Sequence, residues 1–69
     1  MKFLIVKLSA LGDILQSFPV VEYLKEAYPG CSIDWIVEEK GRDLVERNPL
    51  VDKVYTANRA SLLKSLWYL

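Results

Sequence analysis

The chain opens on KFLIVKL, a continuous apolar run of strand length that gives way to a polar turn after Leu8. From Leu11 the spacing changes. Leu11, Ile14, Leu15, Phe18, Val21, Leu24 and Tyr28 recur at three- and four-residue steps, which predicts a helix reaching about Ala27. Pro19 falls inside that pattern and predicts a kink, or a division into a short first turn and a longer body. Tyr28-Pro29-Gly30 then stops the helix. SIDWIVE predicts a second strand, with Ile33, Trp35 and Val37 on one side and Ile36 on the other. A short helix from Gly41 to Arg47 is closed by Asn48-Pro49, and Asp52 to Thr56 reads as a brief third strand. In the tail ASLLKSLWYL, Ser61 is an N-cap, and Leu62, Leu63, Leu66 and Trp67 form an apolar stripe.

The order β-α-β-α-β-α predicts an α/β fold with a parallel sheet and right-handed crossovers. In the first strand Phe3 and Ile5 face one way, Leu4 and Val6 the other, so both faces are apolar and both want cover. If the strands run 1-2-3, the first two helices lie on one face and only the last remains for the other. The chain stops mid-stripe at Trp67-Tyr68-Leu69. The expectation is the N-terminal portion of a larger protein; the alternative is a standalone small α/β binding or dimerisation module.

Composition narrows the chemistry. Of 69 residues, 52% are hydrophobic and 26% charged, which is a globular balance for at most one small domain. Nine basic and nine acidic residues cancel, so no global field draws in nucleic acid or an anionic membrane. Cys31 is alone and reads as a structural free thiol, and the absence of histidine argues against a zinc site or a Ser-His relay. The run Phe3 to Val6 is broken by Lys7, short of a signal peptide or the roughly 18 residues of a membrane span. The chain reads as cytoplasmic.

The first turn, KLSALGD, holds the candidate chemistry, because open α/β sheets bind ligands beyond the carboxyl ends of their strands. Gly12 allows close backbone approach or a positive φ, Ser9 can cap the helix or donate a hydrogen bond, and Lys7 can meet an anion. For Asp13 two readings stand. One is a carboxylate that complements the helix dipole; the other is a general base that takes a proton from a bound hydroxyl. A nicotinamide site is disfavoured, since one glycine stands where G-x-G-x-x-G needs three, and no GK[ST] follows to make a P-loop.

Taken together, MKFLIVKLSALGDILQSFPVV, YPGCSIDWIVEE and NPLVDKVY resemble the start of the ADP-heptose:lipopolysaccharide heptosyltransferases, glycosyltransferase family 9, and its heptosyltransferase I branch above all. The K-x-S-x-x-G-D turn, Pro19 and the D-W-x-V-E-E strand carry the likeness, which runs from Met1 to about Tyr55. The resemblance implies a partial Rossmann-like sheet, with residues 1–69 forming the N-terminal portion of the acceptor-binding domain of a GT-B enzyme. The donor-binding C-terminal domain would lie outside the chain.

By resemblance, such an enzyme moves heptose from ADP-heptose to Kdo–lipid A with inversion, needs no metal or other cofactor, and works at the cytoplasmic face of the inner membrane. Asp13 matches the family's catalytic base, and Lys7, Ser9 and Gly12 match its acceptor loop. Arg59 and Lys64 stand where the family meets lipid A phosphates, and Gln16 where a histidine is often seen. Glu38 and Glu39 match the family's E-E pair but read as structural or solvated, and Trp35 as core. The 69 residues alone are expected to be inactive, with self-association through the bare sheet edge or the final helix as their competing role.

Overall fold

The computed structural model describes residues 1–58 and 60. Strand β1 (Lys2–Val6) leads into helix α1 (Leu11–Ala27), strand β2 (Ser32–Val37), a 3-10 turn (Glu39–Gly41), helix α2 (Arg42–Glu46) and strand β3 (Lys53–Thr56). The strands are parallel in the order β1-β2-β3. The third helix expected from Ser61 lies outside the described residues.

The register explains the core. Phe3 pairs with Ile33, Ile5 with Trp35, and Trp35 with Val54, so apolar side chains line up across one face. On that face Ile33, Trp35 and Val37 are fully buried against Ile14 and Val21 of α1 and Val45 of α2. Both helices therefore cover the same side, as right-handed crossovers in a 1-2-3 sheet require. Phe18 meets Trp35 edge-on at 5.7 Å, a favoured aromatic geometry, and Phe3 meets Tyr28 at 5.3 Å. Cys31 is buried and its thiol approaches the Leu24 carbonyl at 3.6 Å, in keeping with a structural thiol.

The other face is bare among the described residues. Leu4 is 57% exposed, Val6 51% and Tyr55 49%. A shallow groove of about 420 Å³ runs over Leu4, Asp34, Ile36 and Tyr55.

Two local expectations change. Pro19 does not divide α1, which runs unbroken from Leu11 to Ala27; the missing N–H removes one rung of the ladder, and burial of Ile14 and Val21 on either side holds the two halves in one helix. The second helix is shorter than Gly41 to Arg47, because the chain first winds through the tighter 3-10 turn. Asn48 closes it: its side-chain carbonyl accepts from the Leu50 amide at 3.0 Å.

At the amino end of the sheet a charged clamp joins three elements. The Asp52 carboxylate accepts from the Ile33 amide at 2.7 Å and from the Lys25 ammonium at 3.1 Å, while Lys25 also donates to the Cys31 carbonyl at 2.8 Å. β3 begins at Lys53, one residue later than the sequence suggests, although the Asp52 amide still donates to the Ile33 carbonyl at 2.7 Å. The amide of Ile33, then the ammonium of Lys25, hold the Asp52 carboxyl below the ordinary 3.8. A carboxyl depressed in the folded state adds stability that is complete above 3.8 and is lost as pH falls through its folded value. In urea unfolding across a pH series, Asp52→Asn is therefore less stable than wild type by a constant margin near neutrality. That margin closes below 3.8; a gap independent of pH down to 2 refutes the assignment.

Candidate functional site at the carboxyl edge of the sheet

The loop after β1 is tied to β2 by backbone and by the core. The Lys7 amide donates to the Ile36 carbonyl at 3.2 Å, and the Glu38 amide to the Leu8 carbonyl at 3.0 Å. Between them, the buried Trp35 indole N–H donates to the Lys7 carbonyl at 3.1 Å. The turn is thus held from beneath by the largest side chain of the core. The Ser9–Ala10 peptide is cis, and α1 starts directly after it.

Ala10, not Ser9, occupies the N-cap, and no side-chain cap bond closes the helix start. Gly12 is helical with no positive φ, so of the two uses the sequence suggests for it, only close approach remains. A Cβ built there meets nothing within 4 Å. Asp13 follows in the first turn of α1, exposed to solvent, where the helix dipole favours a negative charge by about 0.3–1 kcal/mol. The Ser17 hydroxyl donates to its backbone carbonyl at 2.9 Å.

Two cavities open along this edge. The first, about 350 Å³, is lined by Leu8, Ser9, Ala10 and Leu11 from the loop side and by Glu38, Lys40 and Gly41 from the other. The second, about 550 Å³, continues past Glu38 and Lys40 to Thr56, Ala57 and Asn58 at the end of β3. Glu38 and Lys40 border both. The structure therefore brings Ser9 together with Glu38 and Lys40, while Gly12 and Asp13 stand beside the first cavity's loop wall without lining it. Lys7 is half-buried below the loop, and Arg59 and Lys64 lie outside the described residues.

Sequence reasoning read Glu38 as structural or solvated and did not single out Lys40; both line the two cavities. The signal was present, since the β2–α2 loop ends at the same sheet edge as the β1–α1 loop. It also missed Gly41, where a Cβ would come within 2.7 Å of Ile14 Cδ1 and 2.8 Å of Val37 Cγ2. Among the described residues, no group of three or more histidine, cysteine, aspartate or glutamate side chains is placed to hold a metal ion.

The comparisons with known proteins bear on this edge. The chain is 44% identical over 55 residues to lipopolysaccharide heptosyltransferase 1 of Campylobacter coli, which covers 80% of this chain and 16% of that protein. Its fold superposes on a solved structure of the E. coli heptosyltransferase WaaC with ADP at a TM-score of 0.80 and 33% identity. That match covers 93% of this chain and 21% of the other. A glycosyl transferase family 9 structure from Veillonella parvula matches at a TM-score of 0.77 and 28% identity, over 84% and 17%. These likenesses place the chain among the family 9 heptosyltransferases. No family model matches the chain. It spans about a sixth of the Campylobacter relative and about a fifth of the WaaC structure.

The two glycines of this edge separate by experiment. Gly41→Ala forces Ile14 and Val37 apart and lowers unfolding stability by about 1–3 kcal/mol. Gly12→Ala, in open space and in helical backbone, raises it by about 0.4–1 kcal/mol. Chemical denaturation of both variants measures the contrast, and equal losses refute it.

Proposed function

We propose that the chain forms the acceptor side of an inverting glycosyltransferase that moves heptose from ADP-heptose to Kdo–lipid A in lipopolysaccharide biosynthesis. In this reading residues 1–69 are the N-terminal portion of the acceptor-binding domain, and a C-terminal domain binds the donor. The observation that carries it is the exposed Asp13 in the first turn of α1, directly after a loop bolted to the core and beside a cavity at the sheet's carboxyl edge. The likeness to the heptosyltransferases supplies the substrates.

The chemistry follows from that placement. Asp13 takes the proton of the acceptor hydroxyl as its oxygen bonds to the anomeric carbon of the heptose. The opposite bond, to the diphosphate, breaks, its electron pair leaves on ADP, and the configuration inverts. Ser9 and the open backbone at Gly12 shape the acceptor side, with Lys7 beneath them. Arg59 and Lys64 meet the phosphates of lipid A, which puts the enzyme at the cytoplasmic face of the inner membrane.

In the enzyme that contains this chain, Asp13→Ala lowers kcat by about 10²- to 10⁴-fold and leaves folding intact by circular dichroism. Wild-type turnover by that variant overturns the base assignment. The sheet face left bare by the described residues favours a second reading, a self-associating module; sedimentation of residues 1–69 as a stable dimer supports it, and a monomer removes it.

A further inference from the structure

We infer that Trp35 is a positioning residue for the acceptor: its indole N–H ends the β1 ladder at Lys7 and so sets residues 8–11, the loop wall of the first cavity. The inference rests on the glycosyl-transfer reading and deepens it.

Three observations carry it. First, the ladder between β1 and β2 leaves its register at one rung. The Ser32 amide donates to the Met1 carbonyl at 3.0 Å and the Lys7 amide to the Ile36 carbonyl at 3.2 Å, in a single register that pairs Lys2 with Ser32 and Val6 with Ile36. Parallel rungs are evenly spaced, so the next one brings the Glu38 amide to the Lys7 carbonyl. Instead the Glu38 amide reaches one residue further, to the Leu8 carbonyl at 3.0 Å, and the Lys7 carbonyl accepts from the Trp35 indole at 3.1 Å. A core side chain has taken the place of the ladder's own donor.

Second, the slack falls on the loop. β2 is held to its end, since the Val37 carbonyl accepts from the Ala57 amide at 3.0 Å and the Glu38 carbonyl from the Gly41 amide at 2.9 Å. Helix α1 is anchored by Ile14, fully buried one residue after Asp13. Residues 8–11 lie between these fixed points. Third, the donor is itself fixed: Trp35 is fully buried, and Phe18 braces its ring edge-on.

One residue of strand is about 3.3 Å long, and a misplacement of about 1 Å can cost about 10²-fold in rate. Without the indole donor the Lys7 carbonyl stands unpaired or reclaims the Glu38 amide, and the wall moves in either case. The base keeps its place, because Ile14 holds its turn of α1 in the core. The effect therefore falls on the acceptor.

The test removes the donor and keeps the shape. In the enzyme containing this chain, Trp35 is replaced by benzothienylalanine, which carries sulfur in place of the indole N–H, and separately by a ring-fluorinated tryptophan that keeps the N–H. The sulfur variant is expected to raise the acceptor KM about tenfold, with the donor KM unchanged and kcat within about threefold of wild type. The fluorinated variant keeps wild-type constants. Ile33→Val, which thins the same buried row away from the loop, lowers the unfolding midpoint and leaves the acceptor KM unchanged. Amide resonances of residues 8–11 shift in the sulfur variant, while those of Ile33 and Asp52 hold. A wild-type acceptor KM in the sulfur variant, or a donor KM that rises with it, overturns the inference. If the glycosyl-transfer reading itself fails, wild type transfers nothing to Kdo–lipid A, and the resonances decide alone: unmoved signals from residues 8–11 overturn the positioning role. Failure of the Asp13 assignment appears instead as wild-type kcat in Asp13→Ala.

Discussion

The burial of Trp35 is the constraint on which the rest of the molecule depends. Its ring fills the space between the sheet and α1, and its indole N–H needs a partner once it is inside. The partner is the carbonyl of Lys7, the residue at which β1 turns into the loop. One side chain thus joins the densest part of the core to the first residue of the candidate site. Satisfying a buried donor and fixing a ligand loop are here the same hydrogen bond. Loss of the indole would leave both a void and a loop carbonyl without its partner.

The two ends of β2 are held by different physics. At the carboxyl end the bonds are between neutral groups, amide to carbonyl and indole to carbonyl, in line with the buried aliphatic row. At the amino end the work falls to a carboxylate and an ammonium near the surface. Exposed ion pairs contribute little by themselves. Here the carboxylate also closes a backbone amide at the first pairing of β2 with the segment before β3, so it sets register as well as charge.

Much of this was legible in the amino-acid order. The change from a continuous apolar run to three- and four-residue spacing marks β1 and α1 within a residue or two. The alternation in SIDWIVE marks the buried row of β2, and Leu4 and Val6 announce the bare face. What stayed hidden depends on three-dimensional proximity. The effect of Pro19 was decided by tertiary burial on both sides of it, which outweighs one absent hydrogen bond. The role of Gly41 is a distance to Ile14 and Val37, residues far from it in the chain, and no local pattern encodes that. At the site, the turn around Gly12 and Asp13 stood out because its residue types are unusual for a phosphate loop. Glu38 and Lys40 did not, because a charged pair at a strand end is common on any solvated surface. The family likeness brought Asp13 forward, and that Glu38 and Lys40 line both cavities is visible only in three dimensions.

That the sheet is covered on one side only, among the described residues, has a practical consequence for anyone who handles this polypeptide. Dyes such as ANS brighten on apolar surface, and their fluorescence is commonly taken as the mark of a molten globule. Among the described residues, Leu4, Ile36 and Tyr55 line an open groove and Val6 is exposed on the same face, so an ordered sheet offers such dyes a seat. Brightening alone therefore says nothing about loss of structure in this molecule. Near-ultraviolet dichroism from the Phe18–Trp35 contact reports on its packing instead.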